Sequence, residues 1–154
     1  MELTQQQEVE WVAQIEKAAE IAMKKEFKLL QIGKVERNFT VSFANAISKE
    51  IIIGADIHVD PFYNKHFDAA KKLNGGVIEL DIAIHERYVD TQNLIAIEME
   101  TTNSPKRDDV WKIEGLTSPL GGFGYKLGLY IVFGVKKKAG KIISMEWFKA
   151  GKAF

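Results

Sequence analysis

Two short stretches in the middle of the chain alternate acidic and aliphatic residues, and little sequence separates them. Residues 79–85 read ELDIAIH and residues 94–100 read LIAIEME. Because successive side chains of a β-strand point to opposite faces, each stretch predicts a strand with carboxylates on one face and aliphatic groups on the other. The turn-like connection over residues 86–93 favours pairing of the two strands as a hairpin.

Pairing with the acidic faces aligned would crowd carboxylates into one small volume. The acids concerned are Glu79, Asp81, Glu98 and Glu100. Like charges at that distance disfavour joint ionisation unless a cation lies between them, and a hard divalent metal with oxygen ligands is the natural cation. The pattern therefore predicts a metal site, although solvated acids on an exposed strand face would give the same alternation.

The bulk composition limits the class of protein. The length of 154 residues fits one domain. Basic and acidic side chains number 21 each, so net charge gives no argument for nucleic-acid binding, although the charges could be segregated into a basic groove. The absence of cysteine excludes disulfides, thiolate catalysis and cysteine-based zinc sites. The lack of cysteine suits a reducing cytosol, so we expect a cytoplasmic protein. No apolar run approaches the ~18 residues that span a membrane, so we expect no membrane partner.

A long helix and a shorter one are predicted ahead of the strands. Residues 4–30 form the first, with Thr4 as N-cap and Gly33 as stop, and residues 35–49 form the second. The first helix carries one apolar stripe, made of Trp11, Ile15, Ala18 and Ala22. This stripe packs either on the chain's own sheet or on a second copy, so a homodimer is possible.

The rest of the chain predicts strands and one further helix. The predicted segments are a strand over 51–60, a helical turn over 66–73, a break at 74–76, the two acidic strands, a helix over 105–116, and strands over 125–135 and 141–148. The order α-α-β-β-β-α-β-β predicts one α/β domain with a mixed central sheet flanked by helices. Within it we expect an N-terminal helix over 1–33, a core over 35–135 and a C-terminal strand over 136–154.

The acidic stretches and their flanks resemble the core of the PD-(D/E)xK nuclease superfamily, in particular its small bacterial members. The matching segments follow the family's order and are residues 36–42, 59–64, 81–86, 93–100, 108–117 and 128–134. The resemblance implies a restriction-endonuclease-like core and metal-dependent hydrolysis of phosphodiester bonds, with DNA as the expected partner.

The resemblance also implies roles for three acids. Asp81 and Glu98 match the two acidic motif positions and would bind Mg²⁺ or Mn²⁺. Such an ion stabilises charge on phosphoryl oxygens and lowers the pKa of its bound water. Glu36 matches the helical acidic position as an auxiliary catalytic group; alternatively, it is only a charge favoured by the helix dipole.

The chain departs from the family pattern at the motif lysine, where it has Glu100. That lysine would orient water or neutralise the transition state, whereas a glutamate adds negative charge and would at most assist or hold water. Some restriction endonucleases of the superfamily carry glutamate there and stay active. A lysine could also reach in from the next helix, and of Lys106 and Lys112 we favour Lys112, which shares a helix face with Asp109.

Other polar residues carry weaker signals. Asp56, His58 and Asp60 alternate along one strand, which a water-facing strand explains better than a metal site. We expect His85 to be a surface-turn histidine, with a general base as the alternative. Lys136–Lys138 is a solvated turn by default and a phosphate-backbone contact in the nuclease interpretation.

Two functions other than a nuclease stay open. The missing motif lysine and the zero net charge favour a catalytically inactive nuclease-fold module that binds nucleic acid or protein. A homo-oligomeric structural protein would use the long N-terminal helix as its interface.

Overall fold

A six-stranded mixed sheet lies at the centre of the protein, and helices cover both of its faces. This is the mixed α/β fold that the sequence predicts, with a long helix ahead of the sheet. The structure is a computed structural model that describes residues 2–51, 54, 56–66, 69–73, 76–87, 89 and 91–154.

Three helices precede the sheet. They are α1 (Gln5–Lys25), α2 (Phe27–Ile32) and α3 (Glu36–Glu50). The start of α1 is a capping box in which Thr4 and Gln7 each accept a hydrogen bond from the other's backbone N–H, which confirms Thr4 as the N-cap.

The single helix predicted over residues 4–30 is wrong at Glu26, where the chain is interrupted between α1 and α2. Glu26 has φ −105° and ψ 26°, and its carboxylate accepts a hydrogen bond of 2.8 Å from the Ser42 hydroxyl on α3. The predicted stop at Gly33 is confirmed, since this residue caps α2 with φ 92°, a conformation that favours glycine.

The strands and the remaining helix follow in the second half of the chain. They are β1 (Ile57–Tyr63), β2 (Lys65–His66), β3 (Ala69–Ala70), β4 (Lys72–Leu73), β5 (Gly76–Val77), β6 (Leu80–Glu86), β7 (Asn93–Thr101), α4 (Val110–Thr117), β8 (Leu127–Phe133), β9 (Ile142–Lys149) and β10 (Lys152–Ala153). The central sheet has the order β1-β6-β7-β8-β9-β10. Neighbours pair antiparallel except β7 and β8, which are parallel, so the chain crosses over between them through α4.

Each face of the sheet has its own hydrophobic core. Under α1, α2 and α3 lie the aliphatic faces of β6 and β7, with Phe39 and Phe43 of α3 edge-on to Phe133 of β8. Under α4 lie Ala83, Ala96 and other residues that point to the opposite face of the sheet. Leu80, which we expected to join the aliphatic face, packs in this second core.

The apolar stripe of α1 is buried within the chain. Its residues are at most 5% exposed: Trp11, Ile15, Ala18 and Ala22. The stripe therefore packs on the chain's own core, and a homodimer stays an untested prediction. None of the described helices combines the length and apolarity needed to cross a membrane.

Three predicted boundaries are corrected. The strand expected over 51–60 begins only at Ile57, and residues 52, 53 and 55 lie outside the described part of the chain. The helical turn expected over 66–73 is wrong, because its described residues form short strands paired as β2–β3 and β4–β5. Of the predicted break at 74–76, only Gly76 is described, and it opens β5.

The helix predicted over 105–116 begins later than expected, at Val110. The backbone N–H groups of Lys106 and Arg107 donate to the Glu100 side chain, and Arg107 has φ 62°, in the left-handed region. A right-handed helix cannot run through such a residue, so Pro105 does not start α4.

Candidate active site

The register of β6 against β7 brings two acids together. Ile82 pairs with Ile97 in this antiparallel ladder, which places Asp81 directly across from Glu98. Side chains in such cross-strand positions are near neighbours. The sequence prediction that the two strands pair with their acidic faces aligned is confirmed for this pair.

Glu98 is the most buried acid of the site. Its residue is 1% exposed, and its Oε1 accepts no hydrogen bond from the described residues. Burial, followed by the neighbouring charge of Asp81, raises the pKa of Glu98 well above its usual value. An ionised carboxylate in this position needs a cation, because burial without one strongly disfavours its charged form.

Asp81 lies at the edge of the same buried volume. Its Oδ2 accepts a 2.8 Å hydrogen bond from the backbone N–H of Met99. Burial raises the pKa of Asp81, and the Met99 bond opposes that shift. Asp81 and Glu98 are also close enough to share a proton between their carboxyl groups. The two acids therefore act as a coupled pair.

Glu36 reaches the site from the first residue of α3. Its Oε2 accepts a 3.1 Å hydrogen bond from the backbone N–H of Thr101, at the end of β7. Burial raises its pKa, and so do the charges of Asp81 and Glu100. The structure thus places Glu36 both at a helix start and beside the acidic pair, so neither sequence interpretation is excluded.

Lys112 supplies a cation to the acidic pair from α4. Its Nζ lies 2.8 Å from Oδ1 of Asp109 and 4.0 Å from Oε1 of Glu98. Burial acts against its charge, yet the Glu98 and Asp109 carboxylates outweigh burial and raise the pKa of Lys112. The side chain of Lys106 forms no ion pair within the described residues.

Glu100 is occupied by hydrogen bonds of its own. Its two oxygens accept from the backbone N–H groups of Lys106 and Arg107, at 3.3 and 3.4 Å, and Oε2 also accepts from the Tyr130 hydroxyl. Burial and this bond to Glu100 raise the pKa of Tyr130, so it stays a donor. These contacts fix the loop that leads into α4. Sequence reasoning missed Tyr130, which the parallel register sets beside Glu98.

Arg107 completes this network on the outer side. Its guanidinium forms an ion pair with Glu146 of β9 and lies 5.5 Å from the centre of the Tyr130 ring. The ion pair is half-exposed, so its contribution to stability is small. Its structural effect is to hold Arg107 against the sheet. The backbone N–H groups of Lys106 and Arg107, which donate to Glu100, are thereby held close to that acid.

Glu79 is not part of the site. It is exposed and forms no hydrogen bond or ion pair with the described residues. Within the described chain, no group of three or more histidine, aspartate or glutamate side chains is arranged to hold a metal ion. The site therefore offers the pair of Asp81 and Glu98, with Glu36 close to it.

The pair suits one kind of ion. Mg²⁺ usually keeps several waters and is bound by one or two carboxylates together with substrate phosphates, so two protein ligands suffice. The buried Oε1 of Glu98, which has no hydrogen-bond donor among the described residues, is an oxygen that such an ion would satisfy. Asp81 and Glu98 therefore fit the metal that the resemblance implies.

The histidine predicted to lie in a surface turn is instead buried. His85 is 1% exposed, and its Nε2 lies 2.9 Å from Oδ2 of Asp60 on β1. Arg87 donates to both oxygens of the same carboxylate, at 2.8 and 2.5 Å. Burial lowers the pKa of His85. The expectation that the polar residues of β1 only face water is therefore wrong for Asp60, which joins β1 to β6.

A buried lysine that sequence reasoning missed lies near His85. Lys71 is 1% exposed, and its Nζ lies between 5.0 and 5.5 Å from the ring centres of Tyr63, Phe123 and Tyr125. Aromatic faces attract a cation at such distances. No sequence pattern flagged this residue, because the rings come from distant segments.

No protein-family model matches the chain, and no curated protein is significantly similar to it.

Proposed function

We propose that the protein is a Mg²⁺- or Mn²⁺-dependent nuclease that hydrolyses DNA phosphodiester bonds. The observation that carries this proposal is the buried Glu98 carboxylate, set across from Asp81 and within 4.0 Å of the Lys112 ammonium. Phosphoryl transfer is catalysed mainly by positioning and by electrostatic stabilisation, which a metal-binding acid pair and a nearby cation can supply.

Each residue has a role in this proposal. Asp81 and Glu98 hold the divalent ion, which when bound stabilises charge on the phosphoryl oxygens and lowers the pKa of its water. Lys112 takes the place of the motif lysine and faces the negative charge that develops on the phosphate. Glu36 is an auxiliary acid beside the pair. Glu100 positions the loop that leads into α4, the helix that carries Lys112, through its bonds to the backbone of that loop.

Two further observations support the proposal. The order of segments over residues 35–135 resembles that of the PD-(D/E)xK superfamily. Lys112 can supply the positive charge that is missing at position 100, because its ammonium group lies near Glu98 on α4 rather than on the strand. DNA hydrolysis and a chain without cysteine fit a cytoplasmic location.

The direct test is cleavage of supercoiled plasmid, linear duplex and single-stranded DNA with Mg²⁺ or Mn²⁺. The wild type and Glu79→Gln should cut, since Glu79 is exposed and lies outside the site, whereas Glu98→Gln should not. Each variant removes one carboxylate charge, Glu79 just before β6 and Glu98 on β7, so a contaminating nuclease would cut equally in both. Equal activity of Glu98→Gln and Glu79→Gln overturns the proposal.

The second candidate is a catalytically inactive module on the same fold. It is favoured by the small ligand set, since no group of three metal-ligating side chains exists among the described residues. Calorimetric titration with Mg²⁺ and Mn²⁺ separates the two candidates. Binding that is lost in Asp81→Asn supports the metal site, and no binding of either ion by the wild type supports the module.

A further inference from the structure

A pocket lies beside the acidic site, at the carboxyl ends of the two parallel strands. It has a volume of about 380 Å³ and is lined by the loops after β7 and β8 and by the turn between α2 and α3. Thr101 belongs to its lining and donates its backbone N–H to Glu36, so the pocket and the acidic site share a wall. Ligands of open α/β sheets bind outside the carboxyl ends of strands.

Two lysines line this pocket. Lys34 lies in the turn before α3 and Lys136 follows β8, and neither forms an ion pair with the described residues. The backbone of Lys136 is left-handed, with φ 54°. Its side chain packs closely over Gly33: a Cβ added to Gly33 would lie 3.1 Å from Cε of Lys136. A left-handed conformation at a non-glycine residue is a cost that the fold accepts here.

Hydrogen bonds connect the residues at the floor of the pocket. Asn103 joins the two strand ends, donating to the carbonyl of Val135 at 3.0 Å and accepting from its N–H at 2.9 Å. The Thr102 hydroxyl accepts from the N–H of Ser104, so its own proton remains available to a ligand. Two ammonium groups and hydroxyl donors around a preformed floor are the chemistry of a phosphate site.

We propose that this pocket binds a backbone phosphate of DNA next to the phosphate at the acidic site. The inference rests on the proposed nuclease function. The acids of the site repel a polyanion such as DNA, and the two lysines offset that repulsion on the side of the site where the pocket lies. Contacts of this kind set the position of the duplex and carry no sequence information.

The test compares two double variants of equal charge. Lys34→Gln/Lys136→Gln removes the pocket lysines, and Lys137→Gln/Lys138→Gln removes two exposed lysines of the same run that do not line the pocket. All proteins carry Glu98→Gln, so that DNA is not cut, and binding to a fluorescent duplex is measured by anisotropy at several salt concentrations.

The pocket variant should bind roughly tenfold more weakly. The slope of log K against log salt should become shallower by about one, because one phosphate contact is lost. The control variant should change both quantities less, and Lys34→Arg/Lys136→Arg should restore the slope, because it keeps the charge. Equal losses in the two glutamine variants overturn the pocket assignment, while the DNA function stands.

Two other outcomes are also decisive. If the background protein binds no DNA at any salt concentration, the proposed function fails together with the pocket. If inorganic phosphate stabilises the protein through Lys34 and Lys136 but DNA affinity is unchanged in the pocket variant, the site is one for free phosphate and the DNA assignment is overturned.

Discussion

The Nζ of Lys112 on α4 lies 4.0 Å from Oε1 of Glu98, a buried acid on β7. In the proposed nuclease, this relationship supplies from α4 the cation that Glu100 cannot supply from the strand. It also predicts that the two lysines considered from sequence differ in their effect on activity. The contact that Lys106 makes with Glu100 is through its backbone N–H, and its side chain is exposed.

We expect Lys112→Met to lower the rate of DNA cleavage by a factor of roughly 10²–10³, the range for loss of one preorganised electrostatic group. Lys106→Met should stay within a few-fold of wild type. Plasmid cleavage kinetics measure both, and calorimetry should show that Lys112→Met still binds Mg²⁺, because Lys112 is not a ligand. A greater loss of activity in Lys106→Met than in Lys112→Met would contradict the assignment.

Glu100 should behave as a structural acid rather than as a metal ligand. Glu100→Gln replaces an acceptor of three hydrogen bonds by an amide, and we expect a loss of about 1–3 kcal/mol in the free energy of unfolding. Tyr130→Phe removes one of these bonds and should cost less. The increase in melting temperature that we expect Mg²⁺ to give the wild type should persist in both variants. Its disappearance in Glu100→Gln alone would make Glu100 a ligand.

The closeness of α4 to the sheet can be tested at Gly128. A Cβ there would lie 2.4 Å from Cγ2 of Ile113 and 2.9 Å from Cγ2 of Thr117. Gly128→Ala should therefore push α4 outward and cost about 1–3 kcal/mol, as overpacking does. Gly54→Ala is the control, because nothing lies within 4 Å of its Cβ. Urea unfolding measures both, and an unchanged midpoint for Gly128→Ala would show that α4 packs less closely.

His85 should make stability depend on pH. Burial lowers its pKa below the ordinary 6.5, so the unfolded chain binds a proton that the folded chain does not. Its contribution to stability is therefore complete above about pH 6.5 and is lost as the pH falls towards the lowered value, by at most about 1.4 kcal/mol per pH unit. The difference in unfolding free energy between wild type and His85→Gln, measured from pH 5 to 8, isolates this contribution. A pH-independent difference would contradict it.

The strand hairpin and its acids could be predicted because they depend on local alternation. The period of two in residues 79–85 and 94–100 fixes which side chains share a face, and the register then pairs Asp81 with Glu98. The spacing of Asp109 and Lys112 likewise predicted that the two side chains are neighbours, which their 2.8 Å contact confirms, while the role of Lys112 stays a prediction.

Features that depend on distant contacts could not be predicted. The late start of α4 follows from Glu100, which takes the amides that a helix would otherwise use. The burial of His85 follows from Asp60, a strand partner far away in sequence. The break at Glu26 accompanies a bond to Ser42 on another helix. Propensity and periodicity describe neighbours along the chain, and these effects come from neighbours in space.

The three hydrogen bonds to Glu100 also bear on how this chain could evolve. A lysine at position 100 would set an ammonium donor against two backbone N–H groups that can only donate, so the contacts with Lys106 and Arg107 would be lost. A single substitution at position 100 would thus remove the contacts that fix the loop before α4. In the proposed nuclease, a lysine on the strand at position 100 and a lysine on α4 are therefore alternative ways to place a cation near Glu98. A change from one to the other requires the loop and position 100 to change together.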